Sequence, residues 1–529
     1  MNGVSRACVL LSMTVCAVLS ANASADIRLP HVIGDNMVLQ QGMMLPIWGW
    51  AEPGEKVTVR ITDQAAHTKA DAQGRWRAWL APMPPGGPQE MTVAGRNTIR
   101  LTNILVGEVW VCSGQSNMSM GVGKSNNGQQ EIAAADYPQI RLCMVPKMSA
   151  AQPMQDTDVH WLPCSPKNIM ACGQAGFSAA AYFFGRELHK QLKVPIGLID
   201  SSWGGTRIEE WMPAEALADM PFFTEFTRQI GMANPIRPMN IIEAVPPYET
   251  WFRTTRGALA SGAPMPAPGP AVKSVSTGGP LPAGLHNAMV QPLLPFGIRG
   301  VIWYQGEENN ADGMISYDLM KALIGGWRKA WGQGDFPFYY VEIAPLAGKY
   351  PEGNLPRLWE AQRAALSVPN TGMVVTTDIA DLHDIHPKDK QDVGKRLAGW
   401  ALAKTYGHSD IACSGPMYKG MKLEGSKVRL VFDYAGDGLA SRDGRPLNYF
   451  QIAGADEKFM DAEAEIDGDT ILVSSSAVRN PVAVRFAWDN AAVPNLVNRA
   501  GLPAAPFCAR QDQPVKETQS AAPNKGHLS

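Results

Sequence analysis

The sequence predicts an α/β chain in which a mostly parallel sheet carries helices on both faces, with one all-β domain before it and a second after it. Three observations lead there. From residue 106 onward, short apolar runs rich in β-branched residues alternate with stretches of helical spacing, as in residues 179–192 followed by 194–200. Alternation of this kind argues for parallel strands joined by crossover helices. Residues 27 to about 100 carry instead short β-rich runs separated by Gly, Pro and Asp-Asn turn signals. After about residue 405 the alternation stops and β-rich runs return, punctuated by Asp437-Gly438, Asp443-Gly444 and Asp467-Gly468.

Taken in order, residues 1–25 read as a secretory signal: Arg6, an apolar stretch from Ala7 to Leu19, and Ala23-Ser24-Ala25 as a small-residue cleavage site. The apolar run falls short of the roughly 20 residues that span a bilayer, so an exported protein, periplasmic or secreted, is expected. With 529 residues, 45% hydrophobic, 18% charged and a net charge of -2, the chain is too long for one core. Its near-neutral balance argues against nucleic acid or an anionic membrane as the main partner. Of the eight cysteines, Cys8 and Cys16 go with the signal. Export permits disulfides among the rest, Cys164 and Cys172 being nearest in sequence. Spacing does not fix the pairing, and no CxxC or His-rich cluster suggests a metal.

Residues 26–103 are expected to form a β-sandwich with strands at 37–40, 45–50, 56–61 and 75–80. Trp76 and Trp79 are read as core in preference to a sugar-stacking face. Within the α/β region, strand-like runs at 106–112, 194–200 and 298–304 each end in small or polar residues: Ser113-Gly114-Gln115-Ser116, Ser201-Ser202-Trp203-Gly204-Gly205-Thr206, and Gln305-Gly306-Glu307-Glu308-Asn309. Ligands of parallel sheets bind beyond the carboxyl ends of the strands, so the three turns are expected to converge. A serine there needs a base within reach and donors for the oxyanion it creates. The loop from Asp378 to Pro387 offers His383 and His386 beside Asp381 and Asp384, and a carboxylate both fixes the tautomer of such a base and stabilises its imidazolium.

Gly114-Gln115-Ser116-Asn117-Met118, Trp303-Tyr304-Gln305-Gly306-Glu307 with Asn309, and Asp384-Ile385-His386-Pro387 with Lys390-Gln391 resemble the sialate O-acetylesterase family, a branch of the SGNH-type hydrolases. Met37-Val38-Leu39-Gln40 and Trp48-Gly49-Trp50-Ala51 are similar to its N-terminal β-domain. Phe486-Ala487-Trp488, Asn495-Leu496-Val497-Asn498 and the run from Gly501 to Phe507 are similar to its C-terminal one. The resemblance implies an SGNH-like, flavodoxin-like three-layer α/β/α catalytic domain over 104–410, interrupted by an irregular insertion at about 212–285. A C-terminal β domain at 411–510 and a disordered tail at 511–529 complete the expectation.

The same resemblance makes Ser116 the nucleophile and Ser113 structural, with His386 as the general base. Oxyanion donors would be the N–H of Ser116, Gly205 (with Gly204 as alternative) and Asn309. Many SGNH enzymes place an Asp three residues before the base, but that position is His383 here. The likeness of Asp384-Ile385-His386-Pro387 to family members makes Asp384 the orienting acid, with Asp381 or a backbone partner as alternatives. Substrate-binding candidates are Gln115, Gln305, Glu307 and Arg207. Glu307 also reads as an anchor for the nucleophile turn, and Arg207 as a salt-bridge partner of Glu209 or Glu210. The Pro-, Gly- and Ala-rich residues 261–284 read as a surface loop or as a lid. The implied chemistry is removal of O-acetyl groups from sugars, sialic acid first, through an acetyl-serine, with no metal or organic cofactor. The partner is an O-acetylated sugar or glycan, and the oligomeric state is left open. Rivals are an acetyl xylan or other polysaccharide deacetylase and a non-catalytic carbohydrate-binding protein. A glycosidase built on Glu307 and Glu308 is disfavoured, because adjacent carboxylates rarely face each other across a glycosidic bond.

Overall fold

The computed structural model describes residues 26–173, 175–218, 220, 254, 255, 258 and 281–511. The expected signal, the tail beyond residue 511 and most of the 212–285 insertion, including residues 261–280 of the loop weighed as a lid, lie outside the described residues. Six strands precede the central sheet: β1 (Val38–Gln40), β2 (Leu45–Trp50), β3 (Lys56–Ile61), β4 (Gln64–Lys69), β5 (Arg75–Leu80) and β6 (Gly86–Ala94). Burial alternates along β3 and β5, as it does where one face of a strand meets a core and the other meets water. Trp48 and Trp76 lie in the core, whereas Trp79 is half exposed.

Strand β7 (Thr98–Gly114) joins everything else. Its first part pairs antiparallel with β6 and parallel with β1. From Glu108 on it pairs in parallel with β10 (Ile196–Ser202), and from Trp110 on with β11 (Gly300–Tyr304) as well. Residues 103 and 104, where a domain boundary was expected, are consecutive residues of this one strand.

Adding β8 (Tyr137–Met144), β9 (Trp161–Cys164), β12 (Phe338–Val341) and β13 (Thr371–Val374), the central sheet runs β13-β12-β11-β7-β10-β8-β9. Its neighbours are parallel except for the edge pair β8 and β9. Numbered from β7 and leaving out β8 and β9, the order is 2-1-3-4-5. The sheet separates two hydrophobic cores. Val109, Val111, Val301, Trp303 and Phe338 pack with Leu319, Leu323 and Trp327 of the helix Ile315–Trp331. Trp110, Cys112, Ile302, Tyr304 and Tyr339 pack with the helices Ala179–Leu192 and Lys390–Trp400. Each large apolar side chain so buried contributes about 1.5–3 kcal/mol. The period of two along these strands is what sends successive residues to opposite cores.

Beyond residue 411 the strands pair antiparallel around a third core that includes Val428, Leu430, Phe486 and Phe507. Asn490 fastens this unit to the central one, donating to Tyr350 O and Pro351 O at 3.1 and 2.9 Å and accepting from Leu346 N–H at 2.7 Å. The six described cysteines are all free thiols.

Candidate active site

Strand β7 ends at Gly114 because no other residue fits there. Its φ is 137°, and a Cβ would stand 2.2 Å from Tyr304 O. Gln115 N–H donates to Tyr304 O at 2.9 Å, and Gln115 Oε1 accepts from Gly306 N–H at 3.2 Å. The chain then turns into the short helix Ser116–Ser119. Ser116 is partly exposed; Ser113 is fully buried. Ser178 Oγ caps the helix Ala179–Leu192 by accepting from Ala181 N–H at 3.2 Å and also donates to Met118 O at 2.6 Å, which fixes the short helix from below.

The turn after β10 closes against this one. Trp203 N–H donates to Gly114 O at 3.0 Å. A Cβ on Gly204 would lie 3.0 Å from Ser116 Cβ, so Gly204 is the glycine in contact with the serine. Gly205 has φ 73° and open space around its Cβ position; it supplies the left-handed turn.

The other residues expected after β10 and β11 are committed internally. Asn309 is buried and spends its two amide hydrogens on Glu209 Oε2 at 3.1 Å and Asp312 Oδ2 at 2.7 Å, while its Oδ1 accepts from Ile208 N–H and Gln305. Both amide hydrogens expected to face an oxyanion are thus engaged by carboxylates in this structure. Gln305 donates to Thr206 O and Asn309 Oδ1. Arg207 donates to Glu308 O at 2.7 Å, Glu209 at 2.9 Å and Asp312 at 2.7 Å, so the ion-pair reading accounts for its guanidinium. Gln115 and Glu307 are buried and face the β11 turn and the Ser116 helix respectively.

On the loop from Asp378 to Pro387, Asp384 Oδ1 accepts from His386 N–H at 2.9 Å and lies 3.5 Å from His386 Nδ1. Asp381 Oδ1 instead receives His383 N–H at 3.0 Å, and His383 is exposed. Burial pushes the His386 proton affinity down, with Lys390 and Lys124 adding to the effect and Asp384 opposing it. At neutral pH the imidazole is therefore the neutral, proton-accepting form.

Two residues that sequence reasoning left without a role connect these parts. Asn117, beside Ser116, donates to Glu307 Oε1 at 2.5 Å and to Ile385 O at 2.9 Å. Lys390 Nζ donates to Asn117 Oδ1 and Pro387 O, both at 2.7 Å. Burial pushes Lys390 down to about 7 and raises Glu307. Nothing in a lysine at a helix start announces burial; only its place in the Asp384-to-Gln391 motif singled it out.

A partly exposed hydroxyl at the end of the central strand, next to a neutral histidine loop bearing a carboxylate, is equipment for ester cleavage, and the chain is a carboxylic ester hydrolase. Residues 106–237 and 284–403 match the carbohydrate esterase family of sialic acid-specific acetylesterases. The chain is 31% identical to the sialate O-acetylesterase of Rattus norvegicus, over 95% of this chain and 97% of that one. It is 30% identical to the sialate O-acetylesterase of Homo sapiens, over 94% and 96%. The crystal structure of a carbohydrate acetylesterase from Xanthomonas citri is similar over 91% of this chain and 99% of that one, with a TM-score of 0.77 and 34% identity. The chain belongs to this sialic acid-specific acetylesterase family.

Proposed function

We propose that this esterase removes O-acetyl groups from sugars, sialic acid foremost, through an acetyl-serine. The observation that carries the reading is the pair of bonds from Asn117: the residue beside Ser116 is bonded to Ile385 O, the residue beside His386. In the proposed sequence, Ser116 Oγ attacks the acetyl carbonyl carbon while His386 takes its proton. The oxyanion that forms faces the N–H of Ser116 and of the Gly204-Gly205 turn. Collapse breaks the bond to the sugar oxygen, which leaves as the hydroxyl with the proton from His386. Water, deprotonated by His386, then attacks the acetyl carbon; collapse breaks its bond to Ser116 Oγ, which takes the proton back from His386 as acetate leaves. Asp384 steadies the imidazolium that arises in each half.

The 2-1-3-4-5 strand order and the helices on both sides support an SGNH-type, flavodoxin-like three-layer core, in which ligands sit where the order reverses, at β7. Residues 1–25 support export. A broader carbohydrate preference is favoured by the Xanthomonas citri relative, which is described as a carbohydrate acetylesterase. The test is acetate release by wild type and Ser116→Ala from O-acetylated sialic acid and from acetylated xylan. Release from the sialic acid that disappears in the variant supports the proposal. Release from xylan alone replaces the substrate, and an active Ser116→Ala removes the serine mechanism.

A further inference from the structure

Lys390 is a cation kept out of water between the two halves of the site. Burying an ammonium is costly unless its hydrogens are used and an opposite charge stands near. Both conditions hold: Nζ donates to Asn117 Oδ1 and Pro387 O, it lies 5.1 Å from the Tyr304 ring centroid, and Glu307 is bonded to the same Asn117.

These bonds bracket His386. The carbonyl before it, Ile385 O, is held by Asn117 Nδ2, and the carbonyl after it, Pro387 O, is held by Lys390 Nζ. Both donors meet at Asn117, one residue from Ser116. We propose that Lys390 is a positioning residue for ester hydrolysis, pinning the peptide on the far side of His386 and closing the bracket onto the Ser116 helix. The proposal rests on the assignment of Ser116 and His386 made above. An apolar side chain could fill the same space, but it could not hold a carbonyl at fixed distance from an amide oxygen. Misplacing a catalytic group by about 1 Å costs about a hundredfold in rate.

The charges around the pair fix the sign of a pH effect. Lys390 is faced by Glu307 from the β11 turn and by Asp384 and Asp389 from its own loop. His386 is faced by Asp384, Lys390 and Lys124. A cation beside His386 disfavours its protonation, so removing Lys390 moves the acid limb of kcat/KM to higher pH.

The experiment compares the full-length enzyme with Lys390→Met and with Glu307→Gln/Lys390→Met, the second leaving no unpaired buried carboxylate should the single variant fail to fold. Circular dichroism and thermal melting establish the fold of each. Expected are a kcat about a hundredfold lower with KM within about threefold, and an acid limb displaced upward. A kcat within threefold of wild type in a folded variant overturns the proposal, as does an activity loss with an unmoved acid limb. An inactive Ser116→Ala beside a fully active Lys390→Met rejects only the role of Lys390. An active Ser116→Ala rejects the serine reading on which it rests.

Discussion

The turn bearing Ser116 and the loop bearing His386 meet at Asn117 but are held by different means. Around Ser116 the backbone does the holding: β7 lies between β10 and β11, and main-chain bonds from Gln115 and Trp203 lock the turn to both neighbours. The His386 loop, among the described residues, forms no strand of its own beyond the isolated bridge between Asp381 and Asp384. Its residues 381–386 are exposed or half buried, and two carboxylates, Asp381 and Asp384, each shape a turn by accepting the N–H two residues on. Around His386 the side chains of Asn117 and Lys390 moor it, and further back Ala347 N–H donates to Leu382 O at 2.9 Å. If Ser116 and His386 act as proposed, a hydroxyl placed by sheet register tolerates little backbone change, whereas an imidazole held largely by side-chain tethers depends on single polar atoms.

The largest effect is expected on the strand side. Gly114→Ala forces a methyl group toward Tyr304 O in a left-handed backbone and should cost about 4 kcal/mol of stability, read by thermal or urea unfolding. A loss below about 1 kcal/mol would mean that the turn yields. On the loop side, Asp384→Ala should lower kcat about a hundredfold, equivalent to about 2.7 kcal/mol, and Asp381→Ala by less than about threefold. The opposite ranking transfers the orienting role to Asp381.

Asn309→Ala separates a scaffold from an oxyanion donor. Stripping partners from Ile208 N–H, Glu209 and Asp312 should cost about 2 kcal/mol of stability while kcat falls less than about tenfold; a drop of about a hundredfold or more at unchanged stability would restore the oxyanion role. The smallest effect is the wild-type pH profile. Protonation of His386 removes the base, and its affinity lies below the usual 6.5, so kcat/KM should rise with pH through a midpoint under that value. A midpoint above 7 would mean that Asp384 outweighs burial and Lys390.

What could be read from sequence follows the same division. The central strands and the helices Ala179–Leu192 and Ile315–Trp331 announce themselves by period, and the three turns at strand ends announce the nucleophile side. Strand β8 escaped notice because Pro138 and Arg141 interrupt its apolar run. The buried guanidinium of Arg141 donates to Pro138 O in its own strand and to Asn36 O and Asn103 O, partners remote in sequence. Trp79 reads as core by composition yet lies half outside, since strand alternation sends its neighbour Ala78 inward. The family motifs are what single out Ser116, His386 and Asp384 in the sequence, but the commitments of Asn309 and Arg207 depend on carboxylates brought together only by folding. Asn117 and Lys390 share that difficulty: their value lies in which carbonyls they reach.

Strand β7 also has a bearing on how the molecule is assembled. At about 3.3 Å per residue, its 17 residues form a single ribbon of roughly 55 Å. The ribbon's first half completes one sheet and its second half seeds another. Cutting the chain at residue 104 would split the upstream sheet and fray the ribbon that ends at Gly114, two residues before Ser116. The upstream strands are thus expected to melt together with the hydrolytic core, so that amide protons from Leu105 to Val111 exchange as one cooperative block.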